Sequence, residues 1–382
     1  MNFQLSEEQL LLIAGFQKFL DREVKPLALR YRDELIPVSE MQSIQRAMID
    51  FGAGAGVVDE QLGGLGVDAV TSGLLQFELS RSSPDIAVTA LIQNIVGKLL
   101  KYVPEPLRER YIEDVLSVNR FGCVGMSEPD AGSQVTAVRC RASEDGDDYI
   151  INGEKLWISN GGYSDFIFLL ARFNDDPSGG LGLILVERQH GYQTSDIEKM
   201  GLNSQSTAQV VFQDVRVPKT NMMVAPGEAM KALFISLAGS RPLVSLMALG
   251  VAQAALDESI RYAQDRIQFG KPIAGHQLIS AKLGEMATKI EAGKLLALQA
   301  LSQVDRGERS DVSAAMSKWF GTQMACEVVG EALQIHGGNG ITKEYPVEYM
   351  YRAVRPFMVT EGTNEIQKLS IGRALTGIDA FG

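Results

Sequence analysis

The chain has 382 residues, 45% hydrophobic and 7% aromatic, with mean hydropathy +0.01: an ordinary soluble composition, long enough for two or three domains or one large one. Its 36 basic and 47 acidic side chains leave a net charge of −11, poorly suited to nucleic-acid binding, and no block of like charge is long enough to suggest a tail. Three scattered cysteines and three scattered histidines form no C-x-x-C pair and no convincing metal site, and the thiols are expected reduced and partly buried.

Ser6-Glu-Glu-Gln9 is a capping-box pattern and predicts a helix start. No basic, apolar or Arg/Ser-rich leader precedes it, and no apolar run approaches the roughly 20 residues that span a bilayer, so the expected location is cytoplasmic and away from membranes. Helical texture continues to about residue 120, with Ile13, Phe16 and Leu20 on one face. Asp59 to Gly66 reads as a loop by its glycines. Gly52, Gly54 and Gly56 lack the last glycine and the β-α-β context of a dinucleotide fingerprint.

From residue 121 to 226 the texture is that of strands. Tyr149 to Ile158 predicts a strand, an Asn152-Gly153 turn and a second strand. Phe166 to Arg172, Leu181 to Glu187 and Gln209 to Pro218 predict further strands of a small antiparallel β-domain. From 227 to 382 helices return, over Leu243 to Gln268, Ile279 to Arg306 and Asp311 to Ile335, rich in Ala, Leu, Met and Glu. The expected class is α+β in three domains: an N-terminal helical domain over 1–120, a middle antiparallel β-domain over 121–226, and a C-terminal four-helix bundle over 227–382.

Glu361 ends an apolar run, followed by Gly362, Thr363 and what reads as a new helix. A carboxylate among apolar neighbours resists ionisation, which moves it toward the range of a general base. A solvated helix end is the bland alternative. Four other stretches stand in order before it: Met126-Ser127-Glu-Pro-Asp-Ala-Gly132-Ser133, Trp157-Ile-Ser159-Asn-Gly-Gly, Arg266-Ile-Gln-Phe269-Gly-Lys-Pro-Ile with His276-Gln277, and Gln334-Ile-His-Gly337-Gly338. Taken singly they read as a loop, a core tryptophan, a basic helix end and a turn. Together with Glu361-Gly362-Thr363 they resemble the acyl-CoA dehydrogenase family of flavoproteins, from the first helix to the last.

The resemblance implies FAD as cofactor. It puts Met126, Ser127, Gly132 and Ser133 at the flavin and the thioester, with Trp157 over the ring and Ser159 toward its N5 side. Arg266 would hold the FAD pyrophosphate of a neighbouring subunit, Phe269 and Gln277 would line the same FAD, and Gln334, Gly337 and Gly338 would hold its adenosine half. That implies a homotetramer. Thr363 and Glu365 fall at the cofactor. Ser133, Arg241, Thr360 and Gly362 fall at the substrate, an acyl thioester with CoA as the expected carrier. Glu361 would take its α-proton, and an electron-transferring flavoprotein would accept the electrons.

This chain departs from the family at two places. Ala238 replaces an acidic or amide residue, which weakens a contact to the pantetheine arm and leaves a carrier protein open. Thr360 replaces a tyrosine and leaves room for a bulky acyl group. Ser240 stands where one subgroup carries its base, so Glu361 has no obvious rival. An acyl-CoA oxidase, a carrier-protein desaturase or a non-catalytic binding protein on the same scaffold are the alternatives.

Overall fold

The computed structural model describes residues 5–173 and 180–380. The chain opens on helix α1 (Glu7–Phe19), and Ser6 and Gln9 close the expected capping box reciprocally. A π-helical turn (Leu20–Val24) leads into α2 (Lys25–Arg30), and α3 (Val38–Ala47) follows. Next come α4 (Ala69–Ser82), α5 (Pro84–Leu99) and α6 (Glu105–Leu116). Asp68 and Ser83 cap α4 and α5, each accepting a backbone N–H three residues on.

Among the described residues eight strands form the middle sheet: β1 (Gly122–Gly125), β2 (Arg141–Asp145), β3 (Asp148–Ser159), β4 (Phe166–Phe173), β5 (Leu181–Glu187), β6 (Gln193–Asp196), β7 (Thr207–Pro218) and β8 (Met222–Val224). The order is β6-β7-β3-β2-β4-β5-β8, with β1 also on β4. Most pairings are antiparallel, but β4 runs parallel to both β1 and β2. β4 is buried on both faces. Phe166, Phe168 and Leu170 join a cluster with Val96, Leu99 and Tyr111 of the helices, while Ile167, Leu169 and Ala171 face Ile151, Val210 and Phe212 of the sheet. A strand buried on both sides reads as a continuous apolar run, as this one does.

The expected turn at Asn152-Gly153 is not there. β3 runs unbroken through both residues, and the tight turn lies between β2 and β3 instead. The Asn152 side chain is engaged by Asp214 on β7, donating to its carboxylate at 2.9 Å and accepting its backbone N–H at 2.9 Å. Gly153 marks a register shift in the β3–β7 ladder, and a Cβ there would sit 2.7 Å from Cys140 Cα. The glycine serves a bulge and a close approach, not a reversal.

The C-terminal helices are α7 (Ala229–Asp265), α8 (Gln277–Asp305), α9 (Asp311–His336), α10 (Val347–Val354) and α11 (Asn364–Thr376). A two-strand hairpin, β9 (Ile267–Gln268) and β10 (Lys271–Pro272), stands between α7 and α8. Among the described helices α7 alone is long and apolar enough to cross a membrane, contrary to the reading of the sequence. Two thirds of its most apolar window (67%) is buried inside the fold, so it is a core helix here.

One apolar cluster runs through both helical regions, joining Phe16, Phe19, Leu79 and Leu91 to Met247, Leu249, Ile290 and Val329. Asp85, at the first turn of α5, ties all three regions together. It accepts the Ser204 N–H at 2.8 Å and the Tyr349 hydroxyl of α10, and burial raises its pKa. Cys123, Cys140 and Cys326 are free thiols, with burial pushing the last two up to about 11.

Candidate active site

Glu361 sits on a turn between a short 3-10 segment (Arg355–Met358) and α11. Its φ is +55° and that of Gly362 is +89°, so two consecutive residues are left-handed. A side chain at the first is strained, and the surroundings must hold it. They do so from several helices. Ser240 Oγ on α7 donates to Glu361 Oε2 at 2.7 Å. Arg241 Nε donates to the Glu361 carbonyl at 3.3 Å, and Gln367 Nε2 on α11 donates to the carbonyls of Glu361 (3.3 Å) and Gly362 (3.1 Å). Pro242 lies inside α7 directly after these two residues and removes a backbone N–H from the helix ladder there.

Arg241 is half-buried. Desolvation lowers its pKa from the ordinary guanidinium value, while Glu361 and Asp311 work the other way. Thr363 caps α11, its Oγ1 accepting the Ile366 N–H at 3.3 Å, and Glu365 is exposed in the first turn. Thr360 is exposed beside Val359, itself 53% exposed. The Glu361 backbone N–H has no acceptor among the described residues and remains free to donate.

A second group lies on the sheet. The turn after β1 is closed by reciprocal bonds between Glu128 and Ala131 (2.9 and 3.2 Å). The Leu156 N–H donates to the Ser127 carbonyl at 2.9 Å, which ties Met126-Ser127 to β3 next to Trp157. Beneath them lies a buried ion pair that the sequence did not flag. Lys155, fully buried, donates to Glu128 at 2.7 Å and to the Met126 carbonyl at 3.0 Å, and Glu128 also accepts the N–H groups of Arg139 and Cys140. The register of β3 shifts between Lys155 and Ile158, and Trp157 has φ +65°. This bulge turns the indole outward, 58% exposed, with Ile158 buried beneath and Ser159 half-buried. Gly132 and Ser133 are exposed, with open space around Gly132.

The third group is remote. Arg266 caps α7, and Phe269-Gly270 form a hairpin tip with φ +51° and +76°, the geometry of a two-residue turn. Residues 264–272 are all exposed, Phe269 by 95%, and Gln277 is exposed too. Gln334, Gly337 and Gly338 lie at the end of α9, exposed and with open space over both glycines. Tyr262 joins the two segments: its hydroxyl donates to the His336 carbonyl at 3.2 Å and accepts from Asn339 at 3.0 Å. These six residues share one end of the bundle, and Glu361 does not. From Arg241 to Asp265 is unbroken helix, about 36 Å at 1.5 Å per residue.

A flavin dinucleotide fits the second and third groups by what they leave unspent. An exposed indole on a strained bulge, a hairpin with an exposed guanidinium and an exposed ring, and a glycine pair with open space above are all available to a ligand. Among the described residues no cluster of His, Cys, Asp and Glu is fit to hold a metal.

The chain matches the acyl-CoA dehydrogenase N-terminal domain over residues 6–119, the middle domain over 123–215 and the C-terminal domain over 230–376. It is 33% identical over 383 residues to a probable acyl-CoA dehydrogenase, YngJ, of Bacillus subtilis (strain 168), covering 98% of this chain and 100% of that one. Its fold superposes on butyryl-CoA dehydrogenase from Megasphaera elsdenii with a TM-score of 0.92 at 30% identity, covering 98% and 100% of the two chains. Glutaryl-CoA dehydrogenase from Mycobacterium smegmatis in complex with FADH2 gives 0.92 at 28% identity, over 99% and 97%. With all three domains matched in order and the fold shared end to end, the chain belongs to the acyl-CoA dehydrogenase family, and it is an oxidoreductase.

Proposed function

We propose that this enzyme removes the α- and β-hydrogens of an acyl-CoA thioester to give the trans-2-enoyl thioester, with FAD as cofactor and Glu361 as the base. One observation carries the reading: a carboxylate held on a left-handed turn, with a hydroxyl partner and an unspent backbone N–H beside it. Glu361 takes the α-proton. That proton is weakly acidic, so charge developing on the thioester oxygen needs a donor, and the free Glu361 N–H serves. FAD, when bound, would supply the acceptor for the β-hydrogen as hydride. Met126, Ser127, Trp157 and Ser159 would hold the flavin, with Gly132, Ser133, Thr363 and Glu365 around it. Arg241, Thr360 and Gly362 would line the thioester, and electron-transferring flavoprotein is the proposed redox partner.

Arg266, Phe269, Gln277, Gln334, Gly337 and Gly338 would hold the other half of an FAD. No single FAD bridges the helix length between them and Glu361 in one chain, so we infer a site completed by a second copy, in a homotetramer.

Glu361→Gln keeps size and removes the base. Stopped-flow flavin reduction by a good acyl-CoA should fall by about 10²–10⁴-fold, with FAD retained. Glu361→Asp should keep part of the rate. Reduction of the Gln variant at close to the wild-type rate would show that the proton leaves elsewhere.

A further inference from the structure

Lys318 on α9 is fully buried, yet among the described residues no carboxylate hydrogen-bonds it. Its Nζ donates to the Met358 carbonyl at 3.0 Å, the Gly362 carbonyl at 2.8 Å and Asn364 Oδ1 at 2.9 Å. An ammonium carries three N–H groups and no acceptor, so these bonds use its whole capacity. Its partners bracket Glu361: Met358 and Gly362 flank the base, and Asn364 opens the next helix. Thr322 Oγ1, also on α9, lies 3.0 Å from the same Asn364 oxygen and 2.8 Å from the Lys318 carbonyl, and its single proton is shared between them.

Burying an ammonium is costly, and a leucine or methionine would fill the space without that cost. Packing therefore does not account for a lysine here. The turn does. Two left-handed residues in a row must be over-determined by their surroundings. Arg241 and Gln367 hold the carbonyls of Glu361 and Gly362, while among the described residues Lys318 alone ties the approach to the turn to its exit. The charged and titratable groups that act on it are Glu361 and Glu365, Arg241, and Cys326. Burial pushes its amine down to about 7, Glu361 pulls the other way, and three acceptors favour the form with three N–H groups.

We propose that Lys318 is a positioning residue for Glu361: its ammonium joins the two ends of the turn that carries the base, so the carboxylate is already aimed when a thioester arrives. This rests on Glu361 being the base. Most of the proposed flavin contacts lie on the sheet and at the far end of the bundle, and of the residues proposed at the thioester Lys318 hydrogen-bonds only the backbone carbonyl of Gly362, so the inference separates rate from binding.

The test is Lys318→Met, a side chain of similar length without donors, in the FAD-loaded full-length enzyme. The limiting rate of flavin reduction by a good acyl-CoA should fall by about 10- to 100-fold, as expected for a reacting group set off line. FAD content and thioester affinity should stay within about threefold, since binding and positioning are distinct. A folded variant that reduces at the wild-type rate overturns the proposal, and so does one that loses thioester affinity but not limiting rate. If Lys318→Met fails to fold, Asn364→Ala removes one of the acceptors and should slow reduction by about tenfold at unchanged affinity; a wild-type rate there overturns it equally. Glu361→Gln, measured in parallel, tells the two readings apart. If it reduces normally, the base assignment falls. If it is inactive while Lys318→Met is unimpaired, only the role of Lys318 falls.

Discussion

Backbone strain falls on three of the residues proposed for chemistry and binding. Among the described residues seven outside glycine have positive φ, and three of them are Trp157, Phe269 and Glu361. Left-handed backbone costs such residues roughly 1–2 kcal/mol each, and it persists where the surroundings fix it and a function uses it. Trp157 offers a clean separation of the two. Its indole is 58% exposed and contributes little to the core, so strain outweighs packing in the cofactor-free protein. Trp157→Gly should relieve the left-handed φ and leave the melting temperature of that protein unchanged or raised by the equivalent of about 1 kcal/mol. The same variant should bind FAD more weakly, having lost the ring proposed to cover the flavin. A variant that melts well below wild type without FAD would mean that Trp157 supports the sheet instead.

At the scale of elements, the sequence showed the long pieces and hid the local bends. The capping box at Ser6 and Gln9 and the apolar strands at Phe166 and Leu181 are legible because their signals are local and periodic. Asn152-Gly153 misleads because the partner that engages Asn152, Asp214, lies far along the chain. The bulge at Trp157 is invisible for the same reason. Lys318 is hidden in another way: a lysine within a helical pattern reads as its solvent face, and only the turn folded against it shows otherwise. The helix that follows Glu361 is readable from the motif, but the hydroxyl of Ser240 on the Glu361 carboxylate is not. The turn also depends on how closely α7 and α9 approach. A Cβ on Gly321 of α9 would lie 1.9 Å from Ser245 Oγ of α7, and that hydroxyl already donates to the Ser317 carbonyl at 2.8 Å. Gly321→Ala must either break that bond or part the helices that carry Arg241 and Lys318. Overpacking of this kind typically costs about 1–3 kcal/mol, readable as a lower urea midpoint. An unchanged midpoint would show that the Ser245 hydroxyl moves aside freely.

At the scale of the whole molecule, the described residues hold three apolar clusters, the largest running through both helical regions, but only half of each proposed cofactor site. The core and Asp85 bind the helical and sheet regions together, so the protomer should fold by itself. The hairpin at 267–272 contributes little to that core, yet it displays an aromatic ring 95% exposed beside an exposed arginine. An apolar ring at the tip of a turn has a cost in water and a use against another surface. Phe269→Asp should therefore leave the protomer folded, with wild-type circular dichroism. It should weaken association, seen as a smaller mass by light scattering at the same concentration, and FAD should be lost with it. Arg266→Ala makes the complementary case. It keeps the ring and removes the planar cation proposed for the pyrophosphate, a charge-assisted contact. Assembly should survive in that variant while FAD dissociates. If Phe269→Asp stays fully assembled and fully loaded with FAD, the hairpin is not part of a shared site, and the distance along α7 must be bridged in some other way.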